Sequence, residues 1–144
     1  MGDEFDAGKY GTIVAFLFGV ANAVASQTNV DLAAADSSGN TLVTMPAGGS
    51  VVGLSVRAST AMTAGTVAFK AHKDSTEFAQ SGYPSLTLGS TAAVTNESYA
   101  SIRPGVLTFS AGEAVGVSYT SDATFAPTNT NDFSVALFVQ LDPN

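Results

Sequence analysis

The chain has one histidine, His72, followed two residues later by Asp74 and then by Ser75. A base, an acid and a hydroxyl are the makings of nucleophilic catalysis, and residues two apart on a strand share a face. The set falls short of a catalytic one. Lys73-Asp74-Ser75-Thr76 has the composition of a hairpin turn, and no serine sits in a G-x-S-x-G elbow. His72 therefore reads as a solvated residue near a strand end.

Other chemistries fail on residue type or spacing. Paired carboxyls for glycoside hydrolysis would come from Asp31, Asp36, Glu77, Glu97, Glu113, Asp122 and Asp132, which mostly fall at turns or strand ends. Asp36–Asn40 supplies oxygen ligands, but Ala47 stands where a calcium loop needs its bidentate glutamate. Ala47-Gly48-Gly49-Ser50 lacks the lysine and the helix of a phosphate cradle. Cysteine is absent, which removes disulfides and thiolate metal sites. No catalytic, metal-binding or cofactor-binding residue is assigned, and the chain reads as a protein that is not an enzyme.

The charge balance narrows the partners. Five Lys and Arg against twelve Asp and Glu give a net charge of −7. The cations Lys9, Arg57, Lys70, Lys73 and Arg103 are scattered along the chain. Nucleic acid and anionic membranes both require clustered cations, so neither is an expected partner.

The elements that hold these residues are strands. Ser50–Ala58 alternates, with Val52, Leu54 and Val56 on one face and Ser55 and Arg57 on the other. Thr66–His72 places Val67, Phe69 and Ala71 inward and Lys70 and His72 outward. Ala114–Thr120 alternates through Val115, Val117 and Tyr119, and Asp132–Leu141 through Phe133, Val135, Leu137, Val139 and Leu141. Shorter strands are predicted at Thr28–Ala33, Thr41–Met45, Glu77–Ala79, Ser85–Leu88, Tyr99–Arg103 and Val106–Phe109. Asp36–Asn40, Pro104-Gly105 and Ala111-Gly112 are turns, and Ser121–Asn131 is a long polar loop. Eight to ten short strands without a helix predict an all-β sandwich or barrel, and a jelly roll suits the length.

Thr12–Val20 fits both a helical and a strand period. Its β-branched and aromatic content favours a strand buried on both sides, serving as a first barrel strand or as a docking strand. The longer run Thr12–Ala25 is short of the roughly 20 apolar residues that span a bilayer. Its leader holds Asp3, Glu4 and Asp6 against Lys9, which is the wrong charge for a signal peptide. Residues 1–11 are expected to form an acidic arm and residues 12–144 one β domain.

The stretches TMPAGGSVVGLSVRASTAMTAGTVAFKAHKD and LTFSAGEAVGVSYTSDATFAPTNTNDFSVALFVQL carry a further signal. Their cadence of small residues and alternating strands resembles the jelly-roll modules of tailed-bacteriophage virion proteins. At this length the chain is most similar to a capsid decoration, or cement, protein. The resemblance covers roughly the last hundred residues, beginning near Thr44. It implies a homotrimer on the outer surface of the capsid that bridges neighbouring major capsid proteins, with no catalytic site. The acidity of the chain suits that outer surface.

On this reading the expected partner-contacting residues are Asp3, Glu4, Phe5, Asp6 and Tyr10 in the arm and Ile13, Phe16 and Phe18 in the first strand. The acids would pair with basic capsid residues. Phe5 and Tyr10 would fill pockets, each contributing roughly 1.5–3 kcal/mol before ordering costs. The alternative is a carbohydrate-binding or fibre-type module that attaches to a host surface through the loop aromatics Tyr83 and Phe125.

Overall fold

The computed structural model describes residues 11–35, 39–74, 76–77, 85–89 and 97–143, with only the backbone of 76–77 and 85–87. The arm residues Asp3, Glu4, Phe5, Asp6 and Tyr10, the turn residues 36–38, Ser75 and Tyr83 lie outside this set. Among the described residues every regular element is a strand. In chain order these are β1 (Thr12–Val20), β2 (Gln27–Asp31), β3 (Ala33–Ala34), β4 (Val43–Thr44), β5 (Gly49–Ala58) and β6 (Thr66–Lys73). Next come β7 (Thr76–Glu77), β8 (Ser85–Gly89), β9 (Glu97–Ser101), β10 (Thr108–Phe109), β11 (Ala114–Ser121) and β12 (Phe133–Leu141).

Two antiparallel sheets share these strands. In the first, β1 pairs β12, β12 pairs β5, and β5 carries β9 and β10 end to end on its far edge; the short β3 flanks one end of β1. In the second, β2 and β4 lie along one edge of β11, β11 pairs β6, and β6 carries β8 and β7. Successive long strands cross between the sheets: β1 and β5 belong to the first, β2 and β6 to the second, and β11 and β12 divide between them. An antiparallel double sheet wound in this way is a jelly roll, as the strand count and spacing predict.

Alternation explains which face each long strand buries. Phe18, Leu54, Val56, Phe133, Val135 and Leu137 of the first sheet are buried, as are Val67, Phe69, Ala71, Val115, Val117 and Tyr119 of the second. These inner faces interdigitate as a sandwich core. Phe69 and Phe133 meet across it edge to face, ring centres 5.1 Å apart, a favoured aromatic geometry. In β5 the pattern departs from strict alternation. Phe138 pairs Gly53 and Val139 pairs Val51, which leaves Val52 as the extra residue of a bulge. Val51, rather than Val52, is thus the buried valine.

Three sequence expectations change here. β1 is a strand, but it is not buried on both sides: Ile13 is 63% and Leu17 60% exposed. Val14, Phe16 and Val20 pack partly buried against the core, and Phe18 is buried within it. Phe18 therefore belongs to the core. Phe125 is buried as well, 6.0 Å from the Phe133 ring. The polar loop around it folds over the end of the sandwich. Asp122 accepts bonds from the Thr66 and Thr124 amides and hydroxyls at 3.0–3.1 Å. Gly65, at φ +70°, lets that loop approach, since a Cβ there would lie 2.5 Å from the Phe125 amide nitrogen.

His72 is the third correction. It points to the outer side of the second sheet, as its phase requires, yet it is only 3% exposed. Gly116, its register partner on β11, leaves the space for the ring. A Cβ at Gly116 would sit 2.9 Å from His72 Cε1 and 2.5 Å from the Thr41 carbonyl oxygen.

Candidate functional site

The residues singled out for catalysis do not form a site. His72 Nδ1 lies 2.8 Å from the backbone oxygen of Asp74 and not from its carboxylate. The Asp74 carboxylate instead accepts from the Ala114 amide at 3.0 Å. On the other side of the ring, Nε2 is 3.1 Å from Asp31 Oδ1, although it makes no hydrogen bond of acceptable geometry. His72 ties the end of β2 to the turn after β6, a structural use of the ring.

Several of the described acids are likewise engaged. Glu113 accepts from the Ser110 amide at 2.7 Å and sits 3.5 Å from the Lys73 ammonium. Asp132 accepts from the Asn22 amide at 2.8 Å. Glu97 lies 3.4 Å from the Arg57 guanidinium. For Asp122, partial desolvation pushes the carboxyl up, but the Thr66 and Thr124 hydrogen bonds outweigh it and hold the group below its ordinary value. Among the described residues no three His, Cys, Asp or Glu converge as metal ligands.

The surface with distinctive chemistry is the outer face of the first sheet. Strand register builds it in rows. Leu17 of β1 lies opposite Ala136 of β12, Ala136 opposite Ser55 of β5, and Ser55 opposite Tyr99 of β9. The next row is Gly19, Ser134, Arg57 and Glu97. Large side chains thus stand at the two ends of a row whose middle is Ala and Ser. Neighbouring strands lie about 4.8 Å apart, so the walls are roughly 14 Å apart at the backbone.

The result is a trough of about 890 Å³, floored by Ser55, Ser134 and Ala136 and walled by Leu17 and Tyr99. A second hollow of about 260 Å³ continues it past Ile13, Gly53 and Phe138. A Cβ at Gly53 would lie 3.4 Å from the Phe138 ring, so glycine helps keep this part of the face low.

Three of the large apolar side chains that stay exposed, Ile13, Leu17 and Tyr99, belong to this face. Tyr99 is 81% exposed. A charged pair, Arg57 with Glu97, sits at the rim of this face with 73% and 52% of the side chains exposed, where an ion pair contributes little. The second sheet differs. Its outer side carries Lys70, the bonded pair Asn29–Thr120 and the buried His72.

Of the expected contact residues that are described, Ile13 lies on this apolar face, Phe16 is half-buried on the opposite side of β1, and Phe18 and Phe125 are in the core. Leu17 and Tyr99 were not among the expected contact residues. Both become wall residues only through the register of four strands that are far apart in sequence.

No family model matches the chain, and no curated protein matches it by sequence. Solved structures match it in fold at low identity. A chain of the cyanophage Pam1 capsid asymmetric unit has a TM-score of 0.49 at 12% identity, over 96% of this chain and 91% of that one. The globular domain of zebrafish complement 1qA protein has a TM-score of 0.42 at 13% identity, over 90% of this chain and 98% of that one. A chain in the acidic stable capsid structure of Helicobacter pylori bacteriophage KHP30 has a TM-score of 0.52 at 12% identity, over 94% of this chain and 91% of that one. This last likeness extends over nearly the whole of both chains, and what it establishes is the fold: an antiparallel jelly roll of a kind also found in a phage capsid structure.

Proposed function

We propose that the chain is a structural virion protein, a capsid decoration protein that seats the outer face of its first sheet on the outside of the shell and bridges neighbouring major capsid proteins. The observation that carries this reading is the contrast between the two sheet surfaces. One is polar and internally bonded; the other presents Ile13, Leu17 and Tyr99 around a floor of small residues. Exposed apolar surface gathered on one face marks a place of contact.

The jelly-roll fold shared with a phage capsid chain supports the same direction, as does the net charge of −7, which suits a surface turned away from packaged nucleic acid. In this proposal the arm residues Asp3, Glu4, Phe5, Asp6 and Tyr10 add a second contact with the shell. Several weak contacts held on one assembly gain through effective concentration. Deleting residues 1–11 tests the arm separately from the sheet face: unchanged occupancy of shells would remove it from the account.

A second reading has one observation in its favour. Tyr99 is an exposed ring beside Arg57, Glu97 and Ser55, the ingredients of a sugar-stacking platform. Phe125 is buried in the core, which favours Tyr99 for that role. A glycan array with wild type and Tyr99→Ala separates the readings. Tyr99-dependent glycan binding without shell binding would favour the carbohydrate module.

A further inference from the structure

Among the described residues, β1 has a partly unpaired backbone edge. One edge of β1 is fully paired with β12, from Thr12 opposite Leu141 to Val20 opposite Phe133. On the other edge, the described pairing is confined to β3, at Phe18 and Gly19, and to the Ala35 amide, which donates to the Leu17 carbonyl at 2.9 Å.

Backbone groups alternate sides along a strand. Because the Leu17 carbonyl faces β3, the N–H and C=O groups of Ile13 and Ala15 face the same way, and Val14 and Phe16 turn theirs to β12. Among the described residues nothing pairs with Ile13 or Ala15 on that edge. Gly11, at φ +83°, ends the strand on one side, and the Ala35 contact closes the edge on the other.

Proteins usually protect such an edge with charge, proline or a bulge. From Gly11 to Val30 there is no charged residue and no proline, and β1 runs opposite β12 without a register shift. The strand is apolar on both sides, a pattern that suits a strand covered on both faces, yet Ile13 and Leu17 remain exposed.

We infer that the β1 edge pairs with the β1 edge of a second copy of this chain, antiparallel about a two-fold axis at Val14. In that register Ile13 exchanges backbone hydrogen bonds with Ala15 of the second copy, and Ala15 with its Ile13. The occupant follows from the strand itself. Each large Ile13 side chain lands beside a small Ala15, Val14 meets its own counterpart, and no like charges are brought together. The first sheets of the two copies become one continuous sheet with their troughs on the same side. The pairing closes after two copies, where the resemblance to decoration proteins implies three. It rests on the fold and not on the docking proposal.

Sedimentation equilibrium of the full chain, as wild type and Ala15→Pro, tests it. The Ala15 N–H is not used by β12, and proline is tolerated on an edge whose amide faces outward. Wild type is expected to associate to twice the 14.5 kDa chain mass. Ala15→Pro is expected to weaken that association about tenfold or more while melting like wild type at concentrations where both are monomeric. A wild type that stays monomeric, a three-copy mass, or a dimer indifferent to Ala15→Pro overturns the inference. If Ala15→Pro does not fold, hydrogen exchange on wild type decides. The Ile13 and Ala15 amides must become protected as concentration rises, while those of Val14 and Phe16 are protected throughout. Protection independent of concentration at Ile13 and Ala15 overturns it.

Discussion

Leu17 and Tyr99 stand at the two ends of a single cross-sheet row, separated by Ala136 and Ser55. They are 82 positions apart in the chain, at 17 and 99, and strand register alone makes them opposite walls of one trough. A jelly roll can thus present an apolar surface that no continuous segment encodes.

Tyr99→Ala separates contact from stability. The ring is 81% exposed, so the change in folding free energy should stay within about 0.5 kcal/mol. Binding to undecorated shells should fall about tenfold or more if the ring is an anchor. Thermal melts paired with a shell-binding isotherm give both numbers, and unaltered binding would take Tyr99 out of the contact surface.

Adjacent residues of β1 should behave in opposite ways. Phe18 is 2% exposed and Leu17 60%. Phe18→Ala is expected to cost about 3–5 kcal/mol, the range for a buried phenylalanine. Leu17→Ala should cost under about 0.5 kcal/mol, the range for a surface change. Denaturant titrations with equal losses for the two would contradict the facing assigned to β1.

Much of the fold was readable because the long strands alternate cleanly. Phe133, Val135, Leu137 and Val139 in β12 identify a strand and its inner face without help from any other part of the chain. β1 was readable as a strand, but its place in the sheet was not: when both sides are apolar, periodicity has nothing to say about which side lacks a cover. His72 and Phe125 were misjudged for a shared reason. A polar residue in outward phase and an aromatic in a polar loop both look exposed, and each is buried by a distant glycine. Gly116 leaves room for the His72 ring, and Gly65 lets the Phe125 loop close over the core. The trough depends on the register between β1, β12, β5 and β9, which local pattern does not contain.

Gly116→Ala tests that account of His72. The added methyl would meet the Thr41 carbonyl oxygen at 2.5 Å and the imidazole at 2.9 Å. Overpacking of this kind typically costs about 1–3 kcal/mol. A variant as stable as wild type in urea would mean that the ring is not confined by β11.

Acid should weaken the loop that covers Phe125. The folded-state pKa of Asp122 lies below its unfolded value, so the stabilisation it provides is complete above the ordinary carboxylate value of about 3.9. It is lost as the pH falls through the lower folded value. In melts from about pH 6 downward, the gap between wild type and Asp122→Ala should be open near neutrality and close in strong acid. A gap that stays constant over that range would exclude the carboxylate as its source.

The most direct measurement is the occupancy and rupture temperature of intact undecorated phage shells with wild-type protein and with Ala136→Lys, which places a charge on the trough floor. The docking account predicts that wild type saturates the shells and raises their rupture temperature, whereas Ala136→Lys, melting like wild type in solution, does neither. Equal occupancy by both proteins, or none by wild type, would contradict it.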